Sequence, residues 1–277
     1  MHDAHKSKKV SIMKMAQLNG ISVHYTDEGD PNGAPLVFSN SLGTDMRLWD
    51  VLLPHLPKGL RLIRYDMRGH GLTSAPDGDY FMGDLVADAA ALLDHLKVKD
   101  CVFVGLSIGG MVAQGLAAER LDLVRGMILS NTAAKIGTTD IWKQRMDAAR
   151  KSGIGALADA TMQRWFTDEW QRKNPEQVQA YKHMMCRTPM AGYLGCCAAI
   201  SETDLFESTA RLTLPTLAIA GYDDGSTPPD LVRETAELVK GAEFQLIRKA
   251  GHIPCVEQPQ EYADILHRFL MRIGHTK

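Results

Sequence analysis

The chain has 277 residues and nearly balanced charge, with 31 lysines and arginines against 33 aspartates and glutamates and a formal net charge of −2. This length fits one large domain or two small ones. Balanced charge excludes the broad positive surface of a nucleic-acid-binding protein. No apolar run approaches the ~20 residues of a membrane-spanning helix. We therefore expect no nucleic-acid or membrane partner, whereas the sequence leaves homo-oligomerisation open.

The N-terminal residues and the cysteines bear on location. Residues 1–14 are basic and lack an apolar segment, so they predict a flexible leader and not a secretory signal. Five cysteines are an odd set in a chain large enough to fold without disulfides, which favours reduced thiols and a cytoplasmic protein. The chain has no CxxC or HExxH motif, and we expect no metal and no cofactor.

In chain order, the first half alternates short strand-like runs with helical patterns. The predicted strands are residues 18–25, 36–39, 60–65, 101–105 and 126–130, and the predicted helices are residues 84–96 and 108–120. Repeated strand–helix units of the α/β class imply a mostly parallel central sheet that is flanked by helices.

The alternation stops after the fifth predicted strand and later resumes. Residues 137–203 contain only helical patterns, at 142–152, 156–166 and 175–186. Strands are again predicted at 215–220 and 244–247, and helices at 228–239 and 257–272. We interpret residues 15–136 and 204–277 as one core and residues 137–203 as an inserted helical lid. Such a lid is expected above the edge where parallel strands end and ligands bind.

A candidate nucleophile lies between a predicted strand and a predicted helix, where residues 105–110 have the sequence GLSIGG. A sharp strand–turn–helix strains the backbone of its serine and needs glycines where a Cβ would collide. It also places the hydroxyl at a helix N-terminus. Ser107 is therefore the candidate nucleophile, and the alternative is a serine that only caps the helix.

A serine nucleophile needs a base, and the base needs an orienting acid, in the chain order Ser, Asp or Glu, His. His252 is the candidate base because it lies on a loop between a predicted strand and a predicted helix. The acid is expected after the strand at residues 215–220, where Asp223 and Asp224 follow. We select Asp224 and interpret Asp223 as its solvated or turn-stabilising neighbour.

Two backbone N–H groups are the candidate oxyanion hole. One belongs to Ile108, directly after the candidate nucleophile, and the other to Leu42, in the loop after the strand at residues 36–39. The alternative for the second segment is a polar loop with no role in binding.

Two neighbouring motifs have structural interpretations. Residues 66–71, with the sequence DMRGHG, lack a complete phosphate-loop pattern and predict a turn, in which His70 is a weak functional candidate. Thr227 is interpreted as a helix N-cap, with Pro228 and Asp230 in the first turn.

Together these motifs resemble the α/β-hydrolase superfamily, and more closely its 3-oxoadipate enol-lactonases. The closer resemblance depends on residues 38–45 (FSNSLGTD), 64–71 (RYDMRGHG) and 130–137 (SNTAAKIG). It continues into the predicted lid at residues 141–145 (IWKQR) and 164–166 (RWF).

The resemblance implies an α/β-hydrolase fold and a serine hydrolase that opens a carboxylate-bearing enol-lactone to 3-oxoadipate in aromatic catabolism. It also implies that Trp142 and Arg145 line the substrate pocket, where an arginine can bind a carboxylate bidentately. The alternatives for these two residues are a packing anchor and a solvated helix residue. For the whole protein the alternatives are a general carboxylesterase or other lactonase, a cofactor-free perhydrolase, and a small-molecule receptor with slow turnover.

Overall fold

The computed structural model describes residues 13–276, which form an eight-stranded sheet covered by helices. Residues 1–12, most of the predicted leader, lie outside the described residues, whereas Lys14 already belongs to the first strand. The strands are Lys14–Leu18 (β1), Ile21–Gly29 (β2), Ala34–Ser39 (β3), Leu60–Tyr65 (β4), Cys101–Leu106 (β5), Val124–Ser130 (β6), Thr216–Gly221 (β7) and Glu243–Ile247 (β8).

The strand order is β1-β2-β4-β3-β5-β6-β7-β8. β1 pairs with β2, and β2 with β4, in antiparallel fashion, while all pairs from β4 to β8 are parallel. Every residue of β5 and of β7 is buried, as expected for interior strands of a sheet with both faces covered. The predicted α/β architecture is confirmed.

The α-helices are Met82–His95 (α1), Ile108–Glu119 (α2), Thr139–Ser152 (α3), Ala158–Trp165 (α4), Asp168–Lys173 (α5), Pro175–Cys186 (α6), Met190–Ser201 (α7), Phe206–Thr209 (α8), Pro229–Leu238 (α9), Pro254–Glu257 (α10) and Pro259–Arg272 (α11). Short 3-10 helices occur at Met46–Trp49, Leu53–His55 and Ile154–Leu157. We call α3 to α7, which lie between β6 and β7, the inserted helices.

Two of the inserted helices, α5 and α7, are absent from the predicted set. Most of α7 is buried, and its sequence MAGYLGCCAAIS is apolar around its whole circumference. It therefore lacks the polar face whose 3.6-residue period would have revealed it. α5 has only six residues, too few for a periodic pattern to emerge.

The prediction of a single strand over residues 18–25 is wrong, because this stretch contains a turn between two strands. A turn at Asn19 and Gly20, with φ of 47° and 78°, divides this stretch into β1 and β2. Left-handed backbone at both central residues is the geometry of a two-residue hairpin, for which Asn-Gly is the strongest sequence signal. The dipeptide was therefore a better guide here than the alternation of apolar residues.

The turn at residues 66–71 packs closely against one of the inserted helices, α7. Gly69, with φ of 76°, lies against Gly192 of α7. A Cβ on either glycine would overlap the backbone of the other. This contact explains why two glycines are needed at positions that are far apart in the sequence.

The Gly192→Ala variant is expected to lose about 1–3 kcal/mol of unfolding free energy, because overpacking against backbone cannot be relieved by a side-chain movement. Gly83 of α1 provides the matched control, since it is also helical but a Cβ there would have nothing within 4 Å. Helix propensity alone predicts that both alanines stabilise. Urea denaturation of the two variants distinguishes these expectations, and equal stabilities would contradict the proposed overlap.

Candidate active site

Five loops meet at the carboxyl edge of the sheet, after β3, β5, β6, β7 and β8, which is where open parallel sheets bind ligands. Between this edge and the inserted helices lies a cavity of about 340 Å³. Its walls are formed by Ser41, Leu42, Ser107, Ile136, Gly137, Ile141, Trp142, Arg145, Thr161, Arg164, Trp165, Gly225, Ser226, Thr227 and His252.

Ser107 lines this cavity and lies directly between β5 and α2. Its backbone has φ of 58° and ψ of −120°, a strained conformation for a residue with a Cβ. The turn is held by Ser107 N–H, which donates to Ser130 O, and by the Thr132 hydroxyl, which donates to Ser107 O. The adjacent Gly105 and Gly109 have no room for a Cβ, so the sequence around Ser107 is the one this turn requires.

His252 and Asp224 are brought together from loops 28 residues apart. The Nδ1 atom of His252 lies 2.9 Å from Asp224 Oδ2 and 3.1 Å from Asp224 Oδ1. Both side chains are buried, and His252 also lines the cavity that contains Ser107. Asp223 is exposed and forms no side-chain hydrogen bond or salt bridge with His252 among residues 13–276.

The Asp224 carboxylate is surrounded by donors. Burial alone would raise the pKa of Asp224, but the charge and hydrogen bond of His252, together with hydrogen bonds from Asn131 and Ser226 N–H, lower it below its ordinary value. Thr227 contributes two more donors, its N–H at 3.1 Å and its hydroxyl at 2.7 Å. The carboxylate is therefore favoured in its ionised form despite being buried.

The predicted N-cap role of Thr227 is wrong. α9 begins at Pro229 with Pro228 as its N-cap, and the Thr227 hydroxyl turns away to Asp224. Asp230 does lie in the first turn of α9, as predicted. A buried anion is a stronger acceptor for a threonine hydroxyl than a helix terminus, so the hydrogen bond to Asp224, three residues earlier, outweighs the capping preference.

Asn131 belongs to this cluster, although it is not among the candidate site residues predicted from the sequence. It has φ of 46°, and its Nδ2 donates to Asp224 Oδ2 at 2.9 Å and to Gly251 O at 3.3 Å. It thereby joins the end of β6 to the loops after β7 and β8. Its place directly after a buried strand at the ligand-binding edge was the available signal.

The two predicted oxyanion donors come from separate segments at the carboxyl edge of the sheet. Ile108 is the first residue of α2, and Leu42 lies in the loop after β3. Neither N–H donates a hydrogen bond to any acceptor within residues 13–276. Free backbone N–H groups at a helix start and in a neighbouring loop are the arrangement that can hold a developing negative charge.

The loop that carries Leu42 is fixed by buried hydrogen bonds. Asn40 donates to Tyr65 O and accepts from the Trp49 indole, and Gly43 N–H donates to His70 Nε2 at 2.9 Å. Burial lowers the pKa of His70, which favours the neutral ring that such an acceptor requires. His70 therefore holds the loop in place and does not line the cavity.

The sequence matches the alpha/beta hydrolase fold family over residues 34–259. The chain belongs to the alpha/beta hydrolase family. It is 33% identical over 254 residues to 3-oxoadipate enol-lactonase 2 of Acinetobacter baylyi, covering 92% of this chain and 95% of that protein. It is 32% identical to 3-oxoadipate enol-lactonase 1 of the same organism, covering 88% of this chain and 91% of that protein.

A solved enol-lactonase structure from Burkholderia xenovorans LB400 superposes on this hydrolase with a TM-score of 0.90. The two chains are 36% identical, and the match covers 93% of this chain and 100% of the other. The predicted family resemblance is therefore confirmed. No helix within residues 13–276 is long and apolar enough to cross a membrane.

Trp142 and Arg145 of the hydrolase both lie on α3 and line the cavity. The Trp142 indole donates to Ile136 O at 2.6 Å, so this residue packs against the core as well as facing the cavity. Arg145 Nε donates to the Tyr193 hydroxyl at 2.7 Å, and its guanidinium lies 5.8 Å from the Trp142 ring centre. Arg145 is thus held by aromatic partners and is not a freely solvated helix residue.

Arg164 is a second cation in the same cavity and was missed as a site residue. It lies on α4 and faces the cavity together with Arg145. None of the lining residues is acidic, and neither arginine forms a salt bridge with any carboxylate in the described part of the chain. Its membership of the RWF motif was a signal, but only the folded chain places its side chain beside Arg145.

The segment that carries Arg164 is attached directly to the two loops of the Asp224–His252 pair. Arg164 O accepts from Gly225 N–H at 3.3 Å, and Trp165 O accepts from His252 N–H at 2.9 Å. Beside them, Glu257 accepts from Thr167 N–H and hydroxyl and from Gly251 N–H. These backbone and side-chain hydrogen bonds connect residues 164–167 to the loops that carry Asp224 and His252, and we call this connection the joint.

Replacing Thr227 by valine is expected to lower the unfolding free energy of the hydrolase by about 1.5 kcal/mol, because a hydroxyl donor to a buried carboxylate is lost at nearly constant volume. Thr227→Ser is the control, since it keeps the hydroxyl. Urea denaturation of the three proteins measures the difference. If the valine and serine variants were equally stable, the Thr227–Asp224 hydrogen bond would have no energetic weight.

Proposed function

We propose that this hydrolase opens 3-oxoadipate enol-lactone to 3-oxoadipate through an acyl-enzyme on Ser107, with His252 as the base and Asp224 as the orienting acid. The observation that carries the proposal is one cavity that Ser107 and His252 line together with two arginines and no carboxylate. A lactone that carries its own carboxylate complements such a cavity in both reactivity and charge. The names of the relatives support the same substrate, and this reaction would serve aromatic catabolism in the β-ketoadipate pathway.

In the proposed first step, Ser107 Oγ attacks the ring carbonyl while its proton moves to His252 Nε2. Asp224 accepts the Nδ1–H hydrogen bond, which fixes the tautomer that leaves Nε2 free as a base. The N–H groups of Leu42 and Ile108 stabilise the oxyanion, each lowering the barrier by roughly 3 kcal/mol. Collapse of the tetrahedral intermediate breaks the ring C–O bond, and the enolate oxygen takes the proton from the imidazolium.

The second step releases the acid. Water gives a proton to His252 Nε2 as its oxygen bonds to the acyl carbon, and collapse expels Ser107 Oγ, which recovers the proton. The enol tautomerises to the ketone. An enolate is a better leaving group than an amine, so this reaction needs less general-acid assistance than peptide hydrolysis.

We also propose that residues 137–203 act as the lid of the site, over a core of residues 15–136 and 204–277. Trp142, Arg145 and Trp165 line the cavity from this segment. A cover of this kind excludes water from the acyl-enzyme and strengthens the attraction between an arginine and a substrate carboxylate.

Ser107→Ala is expected to abolish turnover, because it removes the proposed nucleophile and leaves the cavity intact. The assay follows the ultraviolet absorbance of the enol-lactone. Binding of the lactone to the variant, measured by calorimetry, is the control for a preserved site. Retained turnover at the wild-type rate would contradict the role of Ser107.

Arg145→Met is expected to lower kcat/KM for the enol-lactone by about 10-fold or more, because a charge-assisted hydrogen bond to its carboxylate is lost. The same variant is measured on p-nitrophenyl butyrate, which is a neutral ester. Arg150→Met is the control, since Arg150 lies on α3 but is exposed and paired with Asp147. Equal losses on the charged and the neutral substrate would mean that Arg145 does not bind the carboxylate.

A general carboxylesterase on the same residues is the competing function, and the same pair of substrates decides it. A higher kcat/KM for the neutral ester than for the enol-lactone would favour the esterase.

A further inference from the structure

Thr161 holds the two cavity arginines together. Its hydroxyl is buried and donates to Leu157 O at 2.8 Å, so both of its lone pairs are free to accept. Arg145 NH2 lies 3.4 Å and Arg164 NH2 lies 3.1 Å from this same oxygen. The two guanidinium groups therefore converge on one point of the cavity wall from α3 and α4.

Within the described chain, the positive charges of Arg145 and Arg164 are not neutralised by a nearby negative charge. Burial lowers the pKa of Arg164, and the positive charge of Arg145 lowers it further. Neither guanidinium has a carboxylate within salt-bridge distance among residues 13–276, and the cavity lining contains no acidic residue. Partly buried cations that repel each other are costly to maintain without a counter-ion, so a bound anion would relieve both the desolvation and the repulsion.

The remaining donors of the two arginines are available to a ligand. Arg145 uses Nε for Tyr193 and one NH2 bond for Thr161, whereas Arg164 makes its one side-chain hydrogen bond in the described chain to Thr161. Since both NH2 groups touch one hydroxyl oxygen, a single carboxylate can span the two guanidiniums, with one oxygen on each.

We infer that Arg164 is a second carboxylate-binding residue, which binds one substrate carboxylate together with Arg145. Thr161 is the positioning residue for both arginines. This inference rests on the proposed function for the identity of the substrate. It extends that function by requiring a substrate whose carboxylate reaches both guanidiniums when its carbonyl is at Ser107. We call the arrangement of Arg145, Thr161 and Arg164 the arginine clamp.

The clamp is tested by charge selectivity, the ratio of kcat/KM for the p-nitrophenyl monoester of glutaric acid to kcat/KM for p-nitrophenyl butyrate. Arg164→Met is expected to lower this ratio by about 10-fold, mainly through a higher KM for the charged ester. Arg164→Lys keeps the charge without the planar fork and is expected to recover part of the ratio. Arg150→Met is expected to leave the ratio at its wild-type value.

Thr161→Val tests the positioning role. It removes the shared acceptor at nearly constant volume, and it is expected to lower the selectivity ratio by severalfold while both arginines remain. The double variant Arg145→Met/Arg164→Met is expected to lose less than the product of the two single losses, because both residues act on one carboxylate. An unchanged ratio in Arg164→Met, or strictly multiplicative losses in the double variant, would overturn the clamp.

A binding measurement separates failure of the clamp from failure of the proposed function. Adipate is titrated calorimetrically into Ser107→Ala, with dimethyl adipate as the neutral comparison, and then into Ser107→Ala/Arg164→Met. Loss of adipate binding in the second protein supports the clamp even if the wild type does not turn over the enol-lactone. Full turnover of the enol-lactone by Arg164→Met, with unchanged KM, refutes the clamp and leaves the proposed function standing.

Discussion

The site is organised around one buried carboxylate that has to remain charged. Asp224 accepts hydrogen bonds from Asn131, from its own loop at Ser226 and Thr227, and from His252. These donors come from the ends of β6, β7 and β8, so satisfying one anion also fixes the relative positions of three strand ends. Removing any donor leaves a buried charge less well compensated, which links stability to site geometry.

Local sequence signals were sufficient where the local chain decides the structure. The glycines around Ser107 are required by its turn, and the positions of Asp224 and His252 on loops after predicted strands were enough to predict that these two side chains meet. The roles of Thr227 and Arg164 were not accessible in this way. Thr227 is only three residues from Asp224, but its role depends on His252, which packs against that buried carboxylate from another loop. The role of Arg164 depends on Arg145, which reaches the same Thr161 hydroxyl from a different helix.

Although the net charge of the chain is near zero, its arginines differ in whether a carboxylate neutralises them. In the core, Arg61 and Arg68 are paired with Asp27 and Asp88, so their charges are internally balanced. The arginines of the cavity are the opposite case, since their partners are hydroxyl groups and aromatic rings. Neutral partners orient a guanidinium without neutralising it, and the positive potential remains available to an anionic ligand.

The joint between the inserted helices and the site has a consequence for chimeric proteins. Its two halves, Thr167 and Glu257, are 90 residues apart in the chain, and Glu257 lies outside the inserted segment. Exchanging only the inserted helices between relatives therefore preserves the hydroxyl donor to Glu257 only when the incoming segment carries a hydroxyl at the position of Thr167. Without it, Glu257, which also accepts from Gly251 N–H beside His252, loses one of its partners, so a transplant of substrate specificity within this fold has to match residue 257 to the incoming helices.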